Sequence, residues 1–488
     1  MKNYWLISLC ATICFAAGCS KDDEGLVYPP DVAAEIPDAE FRLFCLGVAD
    51  ANFDGTISKE EALAVTKLNC IPTSAYVERF ASLEGLKYFA NLEELDCSRQ
   101  RLTSLDVSGN TRLRKLVCPR NHLISLDLTR NFALETVNCV MNELTELRLP
   151  ASEALIAVAC EHNSLTSLEV SQCPALKSLS CESNRLTKLD VRSLDKLEYL
   201  TCPGVEVLDV MNCSELNALA VFGGGLSKLD LSHNPKLSGL MCDGVSLERL
   251  DLSHNSTLSQ LGLSGMKTLK AIDVTGCTEL DALYCYGTVC TTLDLSGCKK
   301  LKSIDIRQAP IGTLLLPESD VLRDLKLHEI EIERLDLSMY ADSPQISLSL
   351  RKNSELRNVI LPASLHVFDC VDCPHLEILD LTGCEKLTRC TCTGSSVSAL
   401  DFSHCTEYSS FSPLVCSDNK LVSLQLPPKA YHVKCFGNLL EEIDISVCQG
   451  MGISRLQCQP METLKRIRLR RDQKSATVPE GVELVFVD

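Results

Sequence analysis

From Leu92 to Cys202 the apolar positions return in one pattern every 21 residues, and Cys97, Cys118, Cys139, Cys160, Cys181 and Cys202 keep strict register within it. Each of these cysteines closes a stretch L-x-x-L-x-C, as in Leu92-Glu93-Glu94-Leu95-Asp96-Cys97. In Leu95-Asp96-Cys97 the outer pair points one way and the Asp the other, so each repeat carries a very short strand with an apolar inner side. The same logic recurs within the unit at Leu105-Asp106-Val107-Ser108-Gly109-Asn110, with Leu and Val inward and Asp outward. A 10-residue half (LxxLxCxxNx) is therefore nested with an 11-residue half (LTxLDVSxNTx). A fixed period of this length predicts a solenoid. No single coil can bury its own Leu face, so stability has to come from stacked neighbours. About 17 coils at a spacing of about 4.8 Å give an arc on the order of 80 Å.

The nested pattern, carried by many consecutive copies over roughly residues 83–470, resembles the class of leucine-rich repeat called IRREKO, found largely in bacteria. The expected fold is a repeat solenoid, a β-rich leucine-rich-repeat coil array with a small α-helical EF-hand-like segment before it. Four coils depart from the pattern: Leu149-Pro150, Leu316-Pro317, Leu361-Pro362 and Leu426-Pro427 replace LDVS by L-x-L-P. Proline is acceptable at the strand exit, where no ladder donor is needed. Between about Ala309 and Asn358 the period blurs and coil boundaries are not legible.

Twenty-eight cysteines would ordinarily suggest a disulfide framework or metal sites. Their positions point elsewhere. Twelve take the last place of L-x-C, and eight (Cys173, Cys213, Cys277, Cys298, Cys373, Cys384, Cys405, Cys448) take the Asn place of LDVSxN. Both places face inward, where a free thiol serves as a small apolar residue. Cys370-Val-Asp-Cys373 has a zinc-like spacing, but Phe368-Asp369-Cys370 aligns with the L-D-V half and Cys373-Pro374 matches Cys173-Pro174, so metal is not expected there.

Two outward columns behave differently. In the L-x-V half the outward residue hardly varies, reading Asp106, Asp127, Glu169, Asp190, Asp209, Asp230 and onward. Like charges about 5 Å apart repel by about 0.8 kcal/mol even in water. The offset expected is local hydrogen bonding of each Asp to turn amides. In the L-x-C half the same column varies freely and is mostly uncharged, from Asp96, Val117 and Asn138 to Gly262 and Tyr284. A fixed column reads as architecture and a drifting one as available for recognition. Tyr199, Phe222, Met241, Tyr284 and Tyr286 lie in or beside the drifting column and form the candidate binding face.

Ahead of the repeats, Asp50–Glu61 reads D-A-N-F-D-G-T-I-S-K-E-E. Side-chain oxygens at Asp50, Asn52, Asp54, Ser58 and Glu61, the Thr56 carbonyl and a turn at Gly55 fill every place of a calcium loop. Asp38–Ala49, with Phe41, Phe44, Cys45 and Val48 on one face, predicts the entering helix. Ser58-x-x-Glu61 is also a capping box for the exiting helix. The segment resembles the cap that precedes the leucine-rich repeats of Bacteroidetes proteins, which implies calcium held for a structural purpose.

Residues 1–18, with the apolar run Leu6–Ala17 and then Ala16-Ala17-Gly18 before Cys19, read as a leader too short to span a bilayer. The ending resembles a bacterial lipobox, which implies a lipid on Cys19. Ser20-Lys21-Asp22-Asp23-Glu24 resembles the export tag of surface lipoproteins of Bacteroidetes, which implies display on the outer membrane. The resulting organisation is leader 1–18, tether 19–36, EF-hand-like segment 37–70, array 71–463, and last coil with cap 464–488.

A formal net charge of −18 argues against nucleic acid or an anionic lipid surface as partner. The membrane is expected to be met only through the lipid. No nucleophile elbow, phosphate loop or zinc-helix motif occurs, and His162, His233 and His254 fall in repeat turns, so no catalytic residue is assigned. The expected function is binding of a host or bacterial surface protein. A glycan is the second reading, weakened by an aromatic content of 5%.

Overall fold

The computed structural model describes residues 26–72, 79–475 and 481–487. The expected leader, Cys19 and the acidic stretch Ser20–Glu24 lie outside the described residues. The first halves of the coils build one parallel sheet of 19 strands, in register from Lys67–Asn69 and Glu94–Asp96 to Leu456–Gln457. The second halves pair only in places, giving short sheets such as Ser125–Asp127 with Glu146–Arg148. Between the two sides runs the continuous core predicted by the alternation, in which Leu116, Leu179 and Leu200 are buried beside Cys118, Cys181 and Cys202. The stretch where the period blurs keeps the architecture, with strands Asp324–His328 and Ile346–Arg351 joining the large sheet and a bulge between Ile346 and Ser347.

What ties coil to coil, besides the strand ladder, is a second set of hydrogen bonds from inward side chains. After several first-half strands an Asn reaches inward: Asn142 Nδ2 donates to Cys118 O of the preceding coil and Cys139 O of its own, both at 3.0 Å. Its Oδ1 accepts Leu123 N–H at 3.1 Å, and Asn121, Asn163 and Asn184 repeat the arrangement. From Val205 to Ile330 the place instead holds residues such as Val205, Val245, Met266 and Ile330, and those coils rest on the strand ladder and the core. In the second halves Asn131 and Asn255 likewise donate to carbonyls of the coil before, Asn131 to Val107 O and Asn110 O. Here the Oδ1 atoms of Asn110, Asn131, Asn234 and Asn255 are buried without a partner.

This asymmetry explains which Asn places cysteine has taken. In the second halves only a donor is used, and a thiol is a weak donor. Cys213, Cys277 and Cys298 donate to the same carbonyl position of the preceding coil, at 3.6, 3.4 and 3.5 Å. Burial pushes the thiols of Cys277 and Cys298 up to about 12 and about 11, so they keep the proton they donate. Leu194 stands at the equivalent place, so even the donor is dispensable there. In the first halves that carry Asn its Oδ1 is used, and where Asn is absent the place is taken mostly by apolar residues such as Val205, Val245 and Met266.

The one such cysteine corrects the sequence reading. Phe368-Asp369-Cys370 belongs not to the L-D-V half but to the large sheet, where Cys370 pairs with Leu350 and Cys392. Cys373 therefore holds a first-half Asn place, and its sulfur donates to Leu350 O of the preceding coil, the carbonyl position that Asn142 uses, and to Val371 O. The match to Cys173-Pro174 was in the turn alone: Leu376 and Leu176 donate to Cys373 O and Cys173 O in the same way. All cysteines among the described residues are free and buried.

The fixed Asp column is held as expected. Asp106, Asp127, Asp251 and Asp401 each accept the N–H two residues on, at 2.8–2.9 Å. Hydrogen bonds from Thr129 and Ser253 hold the carboxyls of Asp127 and Asp251 below the usual range. The four L-x-L-P coils obey the same rule in reverse. Where Pro150, Pro317, Pro362 or Pro427 removes that N–H, the outward residue is Arg148, Leu315, Ile360 or Gln425, never Asp.

At the N-terminus α1 (Ala39–Ala49) is capped by Asp38, whose other oxygen accepts Ala81 and Ser82 N–H. Its buried row is Phe41, Cys45 and Ala49, while Val48, expected inside, is exposed because the row runs i, i+4, i+8. The capping box at Ser58 opens α2 (Lys59–Ala64), and Lys67–Asn69 then covers the first edge of the large sheet. At the other end Glu483–Phe486 pairs with Arg466–Leu469.

The two Asn columns should respond differently to the same substitution. Asn142→Cys strands the Leu123 N–H and should cost about 1–3 kcal/mol, whereas Asn131→Cys should cost clearly less. Urea unfolding of both variants measures this, and equal losses would refute the distinction.

Candidate recognition face

The large sheet presents three outward columns. The central one runs in strict register through Val117, Asn138, Ala159, Ser180, Thr201, Ala220, Met241, Gly262 and Tyr284. Nine successive coils thus carry no charge at the centre of the face, in a chain that is 23% charged. Met241 and Tyr284 occupy this column and are 49% and 41% exposed. Between them Gly262 leaves room: a Cβ there would lie 3.7 Å from Met241 Cε, so the thioether lies over the glycine.

Phe222 and Tyr286 belong to the C-terminal flanking column and Tyr199 to the opposite flank, beside Ala218. The structure brings Met241, Tyr284 and Tyr286 to one part of the face. Tyr199 stands four strands before Tyr284 and does not join them, because the sequence pattern identifies the face but not the column.

Immediately beyond Tyr284 the face changes character, in a network the sequence reading did not assemble. Arg307 donates through Nε and Nη2 to Asp305, both at 2.7 Å, and its guanidinium lies 5.3 Å from the Tyr286 ring centre. His328 Nε2 is 2.9 Å from Ser349 Oγ, which donates to Asp369 Oδ2, and Arg351 also grips Asp369. Tyr286, Arg307, His328 and Arg351 are neighbours in one column. They fall partly in the stretch where the period blurs, which hid their common register. Burial, then Arg307, pushes the His328 imidazole below its usual value. The hydroxyl donates to the carboxylate and no carboxylate orients the imidazole, so this is not the geometry of a catalytic triad.

In the Asp50–Glu61 loop, Phe53 and Gly55 adopt φ of 60° and 84°, a left-handed turn that only glycine takes without cost. This curls the oxygens inward. Asp50 accepts the N–H groups of Asp54 and Gly55, Asn52 that of Asp54, and Asp54 both N–H and O–H of Thr56. Glu61 reaches back to Ala51 N–H at 3.0 Å while also accepting from Ser58. The hard oxygen donors are of the right type, in the right order and around one loop. Their oxygens are bonded to the loop's own amides, and among the described residues no three acidic, His or Cys side chains converge as a ready cation site. His162, His233 and His254 are exposed in their turns.

No family model matches this sequence, and no curated protein matches it. Solved structures do resemble it. YopM from Yersinia enterocolitica aligns with a TM-score of 0.59 at 20% identity, over 92% of this chain and 90% of that one. The functional domain of InlJ from Listeria monocytogenes, described as including a cysteine ladder, aligns at 0.52 and 24% identity over 90% and 76%. A leucine-rich-repeat protein of Leptospira interrogans aligns at 0.52 and 18% identity over 70% and 93%. These likenesses establish the leucine-rich-repeat solenoid fold.

Proposed function

We propose that this chain is a surface-anchored recognition module that binds a protein partner, from a host or another bacterial surface, on the face of its large sheet. The observation that carries the reading is the uncharged central column from Val117 to Tyr284, which ends in the exposed Met241 and Tyr284. Interface centres are depleted of charge and enriched in Tyr and Met. A glycan-binding lipoprotein of an outer-membrane uptake system is the second reading, favoured only by the tyrosines. Capture of surface proteins and of a glycan panel by the soluble chain from Ser20 onward separates the two. Met241→Ala with Tyr284→Ala should abolish protein capture at unchanged melting temperature. Leu283→Ala, which empties part of the core, should instead cost about 2–5 kcal/mol of stability. Binding to glycans alone, or undiminished capture by the double variant, would defeat this reading.

The anchor in this proposal is a lipid on Cys19, holding the protein to the outer membrane with the array exposed. Support comes from the sequence Ala16-Ala17-Gly18-Cys19 behind a short apolar run. Cys19→Ala should release the chain from the membrane fraction, and unchanged partition would count against lipidation.

The loop Asp50–Glu61 would hold one calcium ion through Asp50, Asn52, Asp54, the Thr56 carbonyl, Ser58 and Glu61. Calcium would replace amide hydrogen bonds with ion contacts and stiffen the cap. A lone loop with three carboxylates suggests weak extracellular affinity, about 10⁻⁴–10⁻³ M. Titration calorimetry should give heat with the native loop and none with Glu61→Gln; equal heats would exclude this site.

A further inference from the structure

We propose that the row Arg307, His328 and Arg351, next to Tyr284, is a subsite for the carboxylates of an extended acidic segment of the partner. This rests on the reading of the sheet face as a protein-recognition surface and goes beyond it by assigning the chemistry recognised.

The charges here are layered. Asp305 and Asp369 lie beneath, with side chains 6% and 17% exposed, while Arg307 and Arg351 lie above them at 43% and 50%. Each guanidinium spends Nε and Nη2 on its carboxylate, leaving Nη1 without a partner among the described residues. The patch is close to neutral in sum, but its outer layer is cationic in a protein of net charge −18. Both arginines are also held in place before any ligand arrives, Arg307 by Asp305 and the Tyr286 ring, Arg351 by Asp369. Such preorganisation lowers the entropy lost on binding.

The spacing selects the ligand. Arg307 and Arg351 sit two strands apart, about 9–10 Å, with His328 between them. Alternate residues of an extended peptide lie about 6.6–6.8 Å apart on one side, within reach of both guanidinium groups through flexible acidic side chains. Tyr284, in the neighbouring strand, offers an apolar seat beside the row.

His328 makes the subsite sensitive to pH. The groups around it are Arg307, Arg351, Asp305, Asp369 and Ser349, with Lys326, paired to Asp324, in the adjoining column between Asp305 and Ser349. Without a ligand, burial and then the arginines hold the imidazole below its usual value. A carboxylate placed over the row favours the proton, so binding and protonation support each other. Affinity therefore rises as pH falls through the histidine range.

The test uses the soluble chain and a short synthetic peptide with glutamate at alternate positions. A glutamine version of the peptide and an oligomer of uronic acid serve as comparisons. Nuclear magnetic resonance of labelled histidine rings reports on His328 directly. The glutamate peptide should shift the His328 signals and the glutamine peptide should not. Its affinity should rise severalfold from about pH 7.5 to about 5.5, towards the roughly tenfold limit that a one-unit rise in histidine pKa sets. His328→Gln, which retains a group able to bond Ser349, should bind at the higher pH but lose the pH dependence. Arg351→Gln should weaken binding at both. Binding of the uronate alone, an unmoved His328, or a pH-independent affinity would overturn the proposal. If partner capture still depended on Met241 and Tyr284 in that case, the broader reading of the face would stand without this subsite.

Discussion

The array depends on burying one continuous leucine core, and in many coils an inward polar side chain donating to the backbone carbonyls of the coil before it sets the register. Leucine packing drives the coils together, but it is indifferent to small slips between them. A buried carbonyl left without a donor costs about 1–3 kcal/mol, so each Asn or Cys fixes both the spacing and the register of its coil. In the first halves the donor set is complemented by an acceptor, the Oδ1 that takes an amide of the preceding coil. The large sheet on that side continues unbroken where the Asn is absent, its strands lengthening to five residues from Tyr199–Pro203 to Asp324–His328. The second halves use donors alone, and their sheets are short.

Much of this was legible in the sequence, because the period 21 and the alternation of Leu, Asp and Cys have only one arrangement that buries the leucines. The Asp column and its turn hydrogen bonds followed from charge repulsion that needed an offset. The exchange of Asn for Cys was visible as a pattern but not as chemistry, since Oδ1 of Asn142 and Oδ1 of Asn131 differ only in what surrounds them. The pairing of Asp with a following N–H, and its loss before Pro150, Pro317, Pro362 and Pro427, could have been found by reading the two columns together. Cys370 was misplaced because Phe368-Asp369-Cys370 fits either half by alternation, and only the ladder partners Leu350 and Cys392 decide.

The candidate face was legible in part. A drifting column beside a fixed one indicated the side, and the structure sets Met241 and Tyr284 in it. Tyr199 was misjoined, since column and coil are independent coordinates on a sheet and sequence distance measures only one of them. The charged row from Arg307 to Arg351 went unseen for a different reason. Irregular spacing, with a bulge before Ser347, shifts the numbering while the strands stay in register.

The central claim is that in the coils that carry them, asparagine side chains, and not leucine packing alone, lock the coil to the one before. Native-state hydrogen exchange tests it most directly at Leu102, Leu123, Leu144 and Leu165, whose N–H groups leave the strands and bond only to Asn Oδ1 of the next coil. These amides should be protected to the same degree as the ladder amides of Cys118 and Cys139. Exchange at the rate of exposed turn amides, with the ladder amides still protected, would contradict the account.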